Sequence, residues 1–419
     1  MHITILTLGS RGDVQPYVAL GVGLKAAGHT VSIATSTRFE PFIRRRRLDF
    51  VPIAVDIREL LETDEGLALL DAGGNPIRLI RRVARLVRVA EPPVEQMLRG
   101  VWQACQRADR VVFAGLMFYY GNYLAPKLRA PLYLSSHGPK TPTCAFHQLW
   151  FPAPPPWLPI GKGMYNQLTH HVVRQLLRQF GPPLLNKAWQ NVFGEPPLPY
   201  SVSKQRLPTL YCYSPAVVPK PSDWDDDQHV TGYWFLDREA NWRPPADLVD
   251  FLQSGPLPVY IGFGSMSNRK PEEVTDIVLQ ALRHSGQRGV LVTGWGGLGN
   301  ADLPDDVFKL DSIPHDWLFP QTSAIIHHGG AGTTGAGLRA GVPSIIVPFF
   351  ADQPFWSQRV YALGVGPRPI PLKRLSVARL AEAITVATSD TEMQRRAAAL
   401  SQQIRAEDGV KRAIELVCR

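Results

Sequence analysis

Ile325-Ile-His-His-Gly-Gly-Ala-Gly-Thr-Thr334, followed by Ser344-Ile-Ile-Val-Pro-Phe-Phe-Ala-Asp-Gln353, decides how this chain is read. The first stretch is a short apolar strand running into glycines that let the backbone approach a ligand closely, with Thr333 and Thr334 at a helix start. Unpaired N–H groups and the positive end of the helix dipole make such a turn a natural seat for a diphosphate. The second strand ends in Asp352 and Gln353, two polar side chains able to bind hydroxyls beside that phosphate. Together they signal nucleotide-sugar chemistry. Gly330-Ala-Gly332-Thr-Thr-Gly335 is also literally G-x-G-x-x-G, with Asp352 about twenty residues on, as a dinucleotide site requires. Its position in the second half, the His327-His328 pair before it and the Gln-Pro after its acid weigh against a nicotinamide or flavin enzyme. A bare tight helix entry does not need so many small residues between Gly329 and Ala336.

The 419 residues suggest two domains, and 45% hydrophobic with 19% charged content is that of a soluble globular protein. No apolar run is long enough to span a bilayer, and the chain opens directly on the strand-like Ile3–Leu8 with no basic leader, so a cytoplasmic location is expected. Cys105, Cys144, Cys212 and Cys418 are scattered without metal-ligand spacing, which fits a reducing compartment. The formal net charge of +9 suits an anionic lipid or a phosphorylated substrate; no nucleic-acid signature accompanies it.

A strand over residues 2–8, a Gly-Ser-Arg-Gly-Asp loop, a helix from Val14 to Ala27 with Pro16 near its start, and a strand Thr30–Ala34 form a strand–helix–strand unit. Further strands are expected at Arg110–Ala114 and Pro131–Ser135. Prolines crowd between Ala153 and Pro221, and the acidic Asp223–Asp227 follows, which places the interdomain region there. The pattern then restarts with Pro258–Met266, a strand running into a Gly/Ser loop, a helix Pro271–Ser285 and a strand Val290–Thr293. Alternating strands and helices argue for parallel sheets covered on both faces.

Gly9-Ser-Arg-Gly-Asp-Val-Gln-Pro16, Tyr260–Met266, Ile313-Pro-His-Asp-Trp-Leu-Phe319, the His327–Thr334 segment and Pro348–Trp356 carry a resemblance. The chain resembles the UDP-glycosyltransferases of the GT-B fold, most of all the sterol 3-beta-glucosyltransferase group, and is similar to bacterial enzymes that glycosylate antibiotic aglycones. The resemblance implies an α/β architecture of two Rossmann-like domains with parallel sheets facing across a cleft. Residues 1–220 would bind the acceptor, 221–240 link, and 241–419 bind the nucleotide sugar, the last helix crossing back. It implies that His328, Gly330, Gly332, Thr333 and Thr334 hold the diphosphate, with Ser265 reaching it from the first loop of the second domain. Ile313 and Trp317 would lie by the uracil, and Asp352 with Gln353 would bind the sugar hydroxyls. No metal or other cofactor is implied, the UDP-sugar being a substrate.

Asp13 is the candidate base, and Asp before a proline-containing helix start is equally a normal N-cap. The D-x-D within Asp225–Asp227 reads as a solvated charge cluster rather than a metal site. His137 and His147 fall where such enzymes hold their acceptor, and His137 is the candidate to touch it. Residues 75–90 read as an amphipathic basic helix, with Ile77, Ile80, Val83, Ala84 and Val87 on one face, suited to transient contact with an anionic membrane or to an ordinary solvated face. The expected activity is inverting transfer of a hexose, glucose from UDP-glucose, to a hydroxyl of a hydrophobic acceptor such as a sterol. A polyketide or peptide aglycone as acceptor, a UDP-sugar epimerase on the same fold, a dinucleotide-dependent oxidoreductase and a silent nucleotide-sugar or lipid-binding protein are the alternatives.

Overall fold

A computed structural model describes residues 1–55, 91–115, 117, 121, 124–154, 157, 161–196, 207–264, 271–293 and 303–419. Ser265 and the basic 75–90 segment therefore lie outside the described residues. The chain divides into two compact units: Met1–Pro215 with Pro219–Leu236 and Asp408–Arg419, and Ala216–Val218 with Asp237–Glu407.

The first unit is built on a seven-stranded sheet, among the described residues, of order β3-β2-β1-β4-β5-β6-β7. The strands are β1 His2–Leu8, β2 Thr30–Ser36, β3 Asp49–Ile53, β4 Arg110–Gly115, β5 Leu132–Ser136, β6 Thr209–Tyr211 and β7 Gln228–Val230. All its pairings are parallel, with Ile5 opposite Ile33 on one side and Val112 on the other. A parallel sheet is covered on both faces, which is why β4 reads Val-Val-Phe-Ala without polar alternation. One face packs on Val94, Leu98 and Val101 of the helix Glu91–Cys105 and on Trp189. The other packs on Val14, Tyr17, Val18 and Leu24 of the helix Arg11–Ala26.

That helix starts earlier than the Val14 expected from sequence. Ser10, in extended conformation, precedes it, and Asp13 is its third residue rather than its cap. Pro16 consequently sits inside the helix. The proline-rich stretch read as interdomain is instead part of the first unit: it holds the helix Lys162–Phe193, which continues through Pro182-Pro183, and the strand β6. The 221–240 segment read as linker carries β7 at the sheet edge.

The second unit has a five-stranded parallel sheet, among the described residues, of order β10-β9-β8-β11-β12. Its strands are β8 Val259–Gly262, β9 Gly289–Val292, β10 Val307–Leu310, β11 Ala324–His327 and β12 Ser344–Ile346. The helix Pro271–Ser285 has the limits expected from sequence, and Val278, Ala281 and Leu282 bury its apolar stripe against Ile261 and Leu291. Among the described residues no helix is long and apolar enough to cross a membrane.

The final helix, Gly409–Val417, belongs to the first unit, where Ala413, Leu416 and Val417 join the cluster of Ile3, Val14 and Tyr17. Burying two large aliphatic side chains is worth about 3–6 kcal/mol. Deleting Asp408–Arg419 should therefore lower the unfolding transition of the first unit and leave that of the second in place. Calorimetry resolving the two transitions checks this; a loss confined to the second would contradict the assignment.

Candidate active site

Both sheets follow one winding rule. The first strand of each unit, β1 or β8, feeds strands on one side, and the chain then returns to its other side at β4 or β11. The loops leaving the carboxyl ends of these neighbours diverge, and the crevice so opened is where open parallel sheets bind ligands. Every described candidate residue follows the carboxyl end of a strand. Asp13 comes after β1 and His137 after β5; Ile313 and Trp317 come after β10, His328–Thr334 after β11, and Asp352–Gln353 after β12.

In the first unit the Asp13 carboxylate has two distinct sides. Oδ2 accepts from the Ser10 backbone N–H at 2.7 Å and from the Ser10 hydroxyl at 2.9 Å. Oδ1 faces His137 Nε2 at 3.8 Å, with both side chains about a quarter exposed, 24% and 23%. Only glycine leaves room for this carboxylate. At Gly9, where φ is +142°, a Cβ would lie 2.4 Å from Asp13 Oδ2. The Thr7 hydroxyl donates to the Asp13 carbonyl at 2.7 Å, tying the first helical turn back to β1. Two cations that sequence reading passed over clamp the adjoining loops: Arg38 Nη2 donates to the Gly9 carbonyl at 2.6 Å and Lys140 Nζ to the Gly115 carbonyl at 3.0 Å. Neither belongs to a motif, so only the fold reveals them.

His137 is carried on a loop that is itself tied down. The Tyr211 hydroxyl accepts from the Thr141 N–H at 2.8 Å. Asp223 accepts from the Thr143 hydroxyl at 2.6 Å and from the Cys144 N–H at 2.7 Å. Asp223, just ahead of the Asp225–Asp227 cluster, is therefore a loop tether, and these bonds, outweighing its desolvation, hold its carboxyl below the ordinary value. His147 is half-buried, its Nδ1–H donating to the Gln148 carbonyl at 3.1 Å, and burial pushes its pKa down.

In the second unit His327 is fully buried and its Nδ1 accepts from the Gly329 N–H at 3.0 Å, which fixes the turn. Burial and the neighbouring His328 and His315 hold its pKa well below the ordinary value, so the ring is neutral. His328 is half-buried, and desolvation pushes it down to about 4. Its ring fills the space of a missing side chain, since a Cβ on Gly330 would sit 2.5 Å from His328 Nε2. Gly329, with φ +90°, turns the chain where a Cβ would meet Ile346 at 2.7 Å. Gly330 then stands in extended conformation ahead of the helix Ala331–Ala340.

At Gly332 a Cβ would meet nothing within 4 Å, so the helix start opens onto free space at that point. Its first-turn amides have no partner within the helix. Thr333 is half-exposed beside it. Thr334 faces the core, fully buried, with its N–H given to the Gly330 carbonyl at 2.9 Å. Ile313 and Trp317 line the loop after β10, and Trp317 packs on Trp242 with ring centroids 5.4 Å apart. Asp352 precedes the helix Gln353–Ala362, and its Oδ2 accepts from Trp356 Nε1 at 2.9 Å. Ala351 just before it adopts a left-handed φ of +58°, a strained conformation of the kind that collects at ligand sites. Gln353 is buried, and its amide oxygen accepts from the Phe349 and Phe350 N–H groups at 2.7 and 3.1 Å. Its oxygen thus shapes the turn that presents Asp352. Asp227 N–H turns back onto Asp225 Oδ1 at 3.2 Å ahead of β7.

Such a set can take a proton from an alcohol at a fixed carboxylate oxygen and can receive a diphosphate at a helix start, which is what a GT-B glycosyltransferase requires. Residues 3–118 match the model of the glycosyltransferase family 28 N-terminal domain, and residues 296–413 that of the erythromycin biosynthesis protein CIII-like C-terminal domain. The sterol 3-beta-glucosyltransferase UGT80B1 of Arabidopsis thaliana is 36% identical over 99% of this chain and 67% of its own length. Its relative UGT80A2 is 36% identical over 99% of this chain, and the enzyme of Cryptococcus neoformans 38% over 100%. The chain spans 65% and 27% of the length of those two. Among solved structures, the kitacinnamycin glycotransferase shares the fold over 100% of this chain and 98% of its own, with a TM-score of 0.70 at 22% identity. The calicheamicin glycosyltransferase CalG4 does so over 99% and 97%, at 0.66 and 20%. The fold is thus GT-B, and the chain belongs to the sterol 3-beta-glucosyltransferase family.

The low His328 pKa has a consequence for stability. A histidine held below its unfolded value of about 6.5 binds fewer protons folded than unfolded, so the folded state loses stability as pH falls from there toward about 4. His327 acts in the same direction. A His328→Asn variant should lose less stability than the parent between neutral pH and pH about 4.5, as urea titrations at each pH would report; equal losses would contradict the shift.

Proposed function

We propose that this chain transfers a hexose from a UDP-sugar, glucose from UDP-glucose, to the hydroxyl of a sterol or other polycyclic lipid, inverting the anomeric carbon and using no metal. The observation that carries the reading is the divided carboxylate of Asp13, one oxygen held by Ser10 and the other turned to His137. In this reading Oδ1 takes the acceptor proton as the alcohol oxygen attacks the anomeric carbon, and the bond from that carbon to the diphosphate breaks. Charge developing on the departing diphosphate is met by the open amides at Gly332 and Thr333 and by His328, a stabilisation that needs no movement at the moment of reaction. Asp352 binds sugar hydroxyls, and Ile313 and Trp317 flank the base. The identity to sterol 3-beta-glucosyltransferases over nearly the whole chain supports the acceptor class.

UDP at about a hundred times its dissociation constant should add roughly 2.7 kcal/mol of stability, raising the melting temperature, while NAD should not. A shift with NAD alone would point to the oxidoreductase instead. Turnover of UDP-glucose with a sterol should survive EDTA; collapse in EDTA with recovery in magnesium or manganese would remove the metal-free reading.

Asp13→Asn separates base from helix start. The amide oxygen can still accept from Ser10, so melting temperature and UDP binding should stay near those of the parent. Transfer should fall about a hundred- to ten-thousand-fold. A purified variant with near-normal transfer would refute the assignment and move attention to His137.

A further inference from the structure

Four of the eight large hydrophobic side chains left exposed among the described residues fall between positions 150 and 168: Trp150 at 40%, Trp157 at 78%, Met164 at 65% and Leu168 at 50%. A loop laid along the first turns of the helix Lys162–Phe193 carries Trp150 to the helix that bears Met164 and Leu168. Asn166 Nδ2 donates to the Cys144 carbonyl at 2.8 Å, His170 Nε2 contacts the Phe146 carbonyl at 3.1 Å, and the Thr169 hydroxyl accepts from the Gln148 N–H at 2.9 Å. Further on, the Tyr165 hydroxyl donates to the Pro152 carbonyl at 3.0 Å. Trp150 thus lies between two ties to the helix, at Thr169 and Tyr165. The inward helix face is spent on these bonds, with Asn166, Thr169, His170 and Val173 all buried. Met164 and Leu168, one turn apart, and the exposed His171 form the opposite face.

Charge says what covers this face. From Arg110 to Asn191 and on to Gly194 the sequence contains no Asp or Glu, yet it carries Arg110, Lys127, Arg129, Lys140, Lys162, Arg174, Arg178 and Lys187. Lys162 begins the helix, Arg174 lies along it, and both are exposed. A protein partner binding an apolar patch needs no such sustained exclusion of acids. An anionic bilayer does, because it repels carboxylates, attracts each nearby lysine or arginine, and takes tryptophan at the level of its headgroups. Large apolar side chains exposed close together mark an interaction site.

We propose that the face formed by Trp150, Met164 and Leu168, flanked by Lys162 and Arg174, docks on an anionic lipid surface. The apolar side chains enter the headgroup boundary and the cations meet lipid phosphates. The residues of this face are not those of the 75–90 segment, and its test reads binding rather than turnover, so its failure would leave the hexose-transfer reading untouched.

The experiment is co-sedimentation of the full chain with vesicles of phosphatidylcholine alone and of phosphatidylcholine mixed with phosphatidylglycerol. The parent should partition onto the phosphatidylglycerol vesicles, and salt should weaken this. The triple variant Trp150→Ser/Met164→Ser/Leu168→Ser should lose roughly tenfold or more of that partitioning at an unchanged melting temperature, since these side chains are already exposed. Lys162→Glu/Arg174→Glu should also lose it, with the salt dependence reduced. A parent that ignores both vesicles, or a triple variant that partitions as the parent does, overturns the proposal. So does light scattering that shows a dimer dispersed by the triple variant while vesicles go unbound, which would assign the face to a second copy of the chain.

Discussion

Parallel pairing is the constraint from which the rest of this molecule follows. Neighbouring parallel strands must be joined by a crossover, and a right-handed crossover places a helix on the sheet face each time. The winding reverses between β1 and β4 and again between β8 and β11, and at such points the loops part and helix starts border the crevice. Asp13 stands at the first of these points and the His327–Thr334 turn at the second. Each unit brings one class of chemistry to its switch point: a fixed carboxylate in the first, a helix start with open amides in the second. Loops after the flanking strands add His137, Trp317 and Asp352 around them.

The second site shows why a neutral polar surface suits a dianion. A cationic histidine would bind diphosphate more tightly before and after reaction alike, and uniform binding does not accelerate a step. Burial keeps His327 and His328 uncharged, so in the proposed reading a diphosphate would be met by a set of dipoles fixed by packing. The glycines serve the histidines as much as the ligand. Gly330 gives up its side-chain volume to the His328 ring, and Gly329 turns the chain so that its own N–H reaches His327. The strain at Ala351 and the buried oxygen of Gln353 do similar service for Asp352.

Much of this was legible because strand, glycine turn and helix start are local features. The limits of β1, of the helix Pro271–Ser285 and of the β11 turn follow from a few adjacent residues. What escaped depends on partners distant in sequence or on chemistry that looks like something else. Ser10-x-x-Asp13 is a capping pattern that moves the helix start back to Arg11, but the glycine between them reads as loop. Prolines between 153 and 221 suggest a linker, whereas the helix Lys162–Phe193 is held by tertiary ties such as Asn166 to Cys144 that override local propensity. Asp223 looks solvated beside other acids until Thr143, eighty residues away, donates to it. Gln353 and Thr334 sit in a ligand-binding motif, yet their side chains point inward, because a motif records sequence neighbours and not which face of a helix they occupy.

In the proposed mechanism Asp13 is employed twice, at the helix start and as the base, and its geometry makes the two roles compatible. A helix-starting carboxylate and a catalytic one look like competing roles only if the group is treated as a point. Its two oxygens are separate acceptors, and here Ser10 holds Oδ2 with both a backbone and a side-chain donor. Those bonds fix the side-chain torsions, and with them the direction in which Oδ1 projects toward His137. In the proposed mechanism folding would thus supply the orientation of the base in advance, leaving little conformational freedom to be lost when an alcohol arrives. A longer acid at the same position would reach Ser10 only by bending its chain and would carry its second oxygen elsewhere. The close approach of Gly9 to the carboxylate sets the same limit from the other side, since any side chain there displaces Oδ2 and releases Oδ1 from its aim.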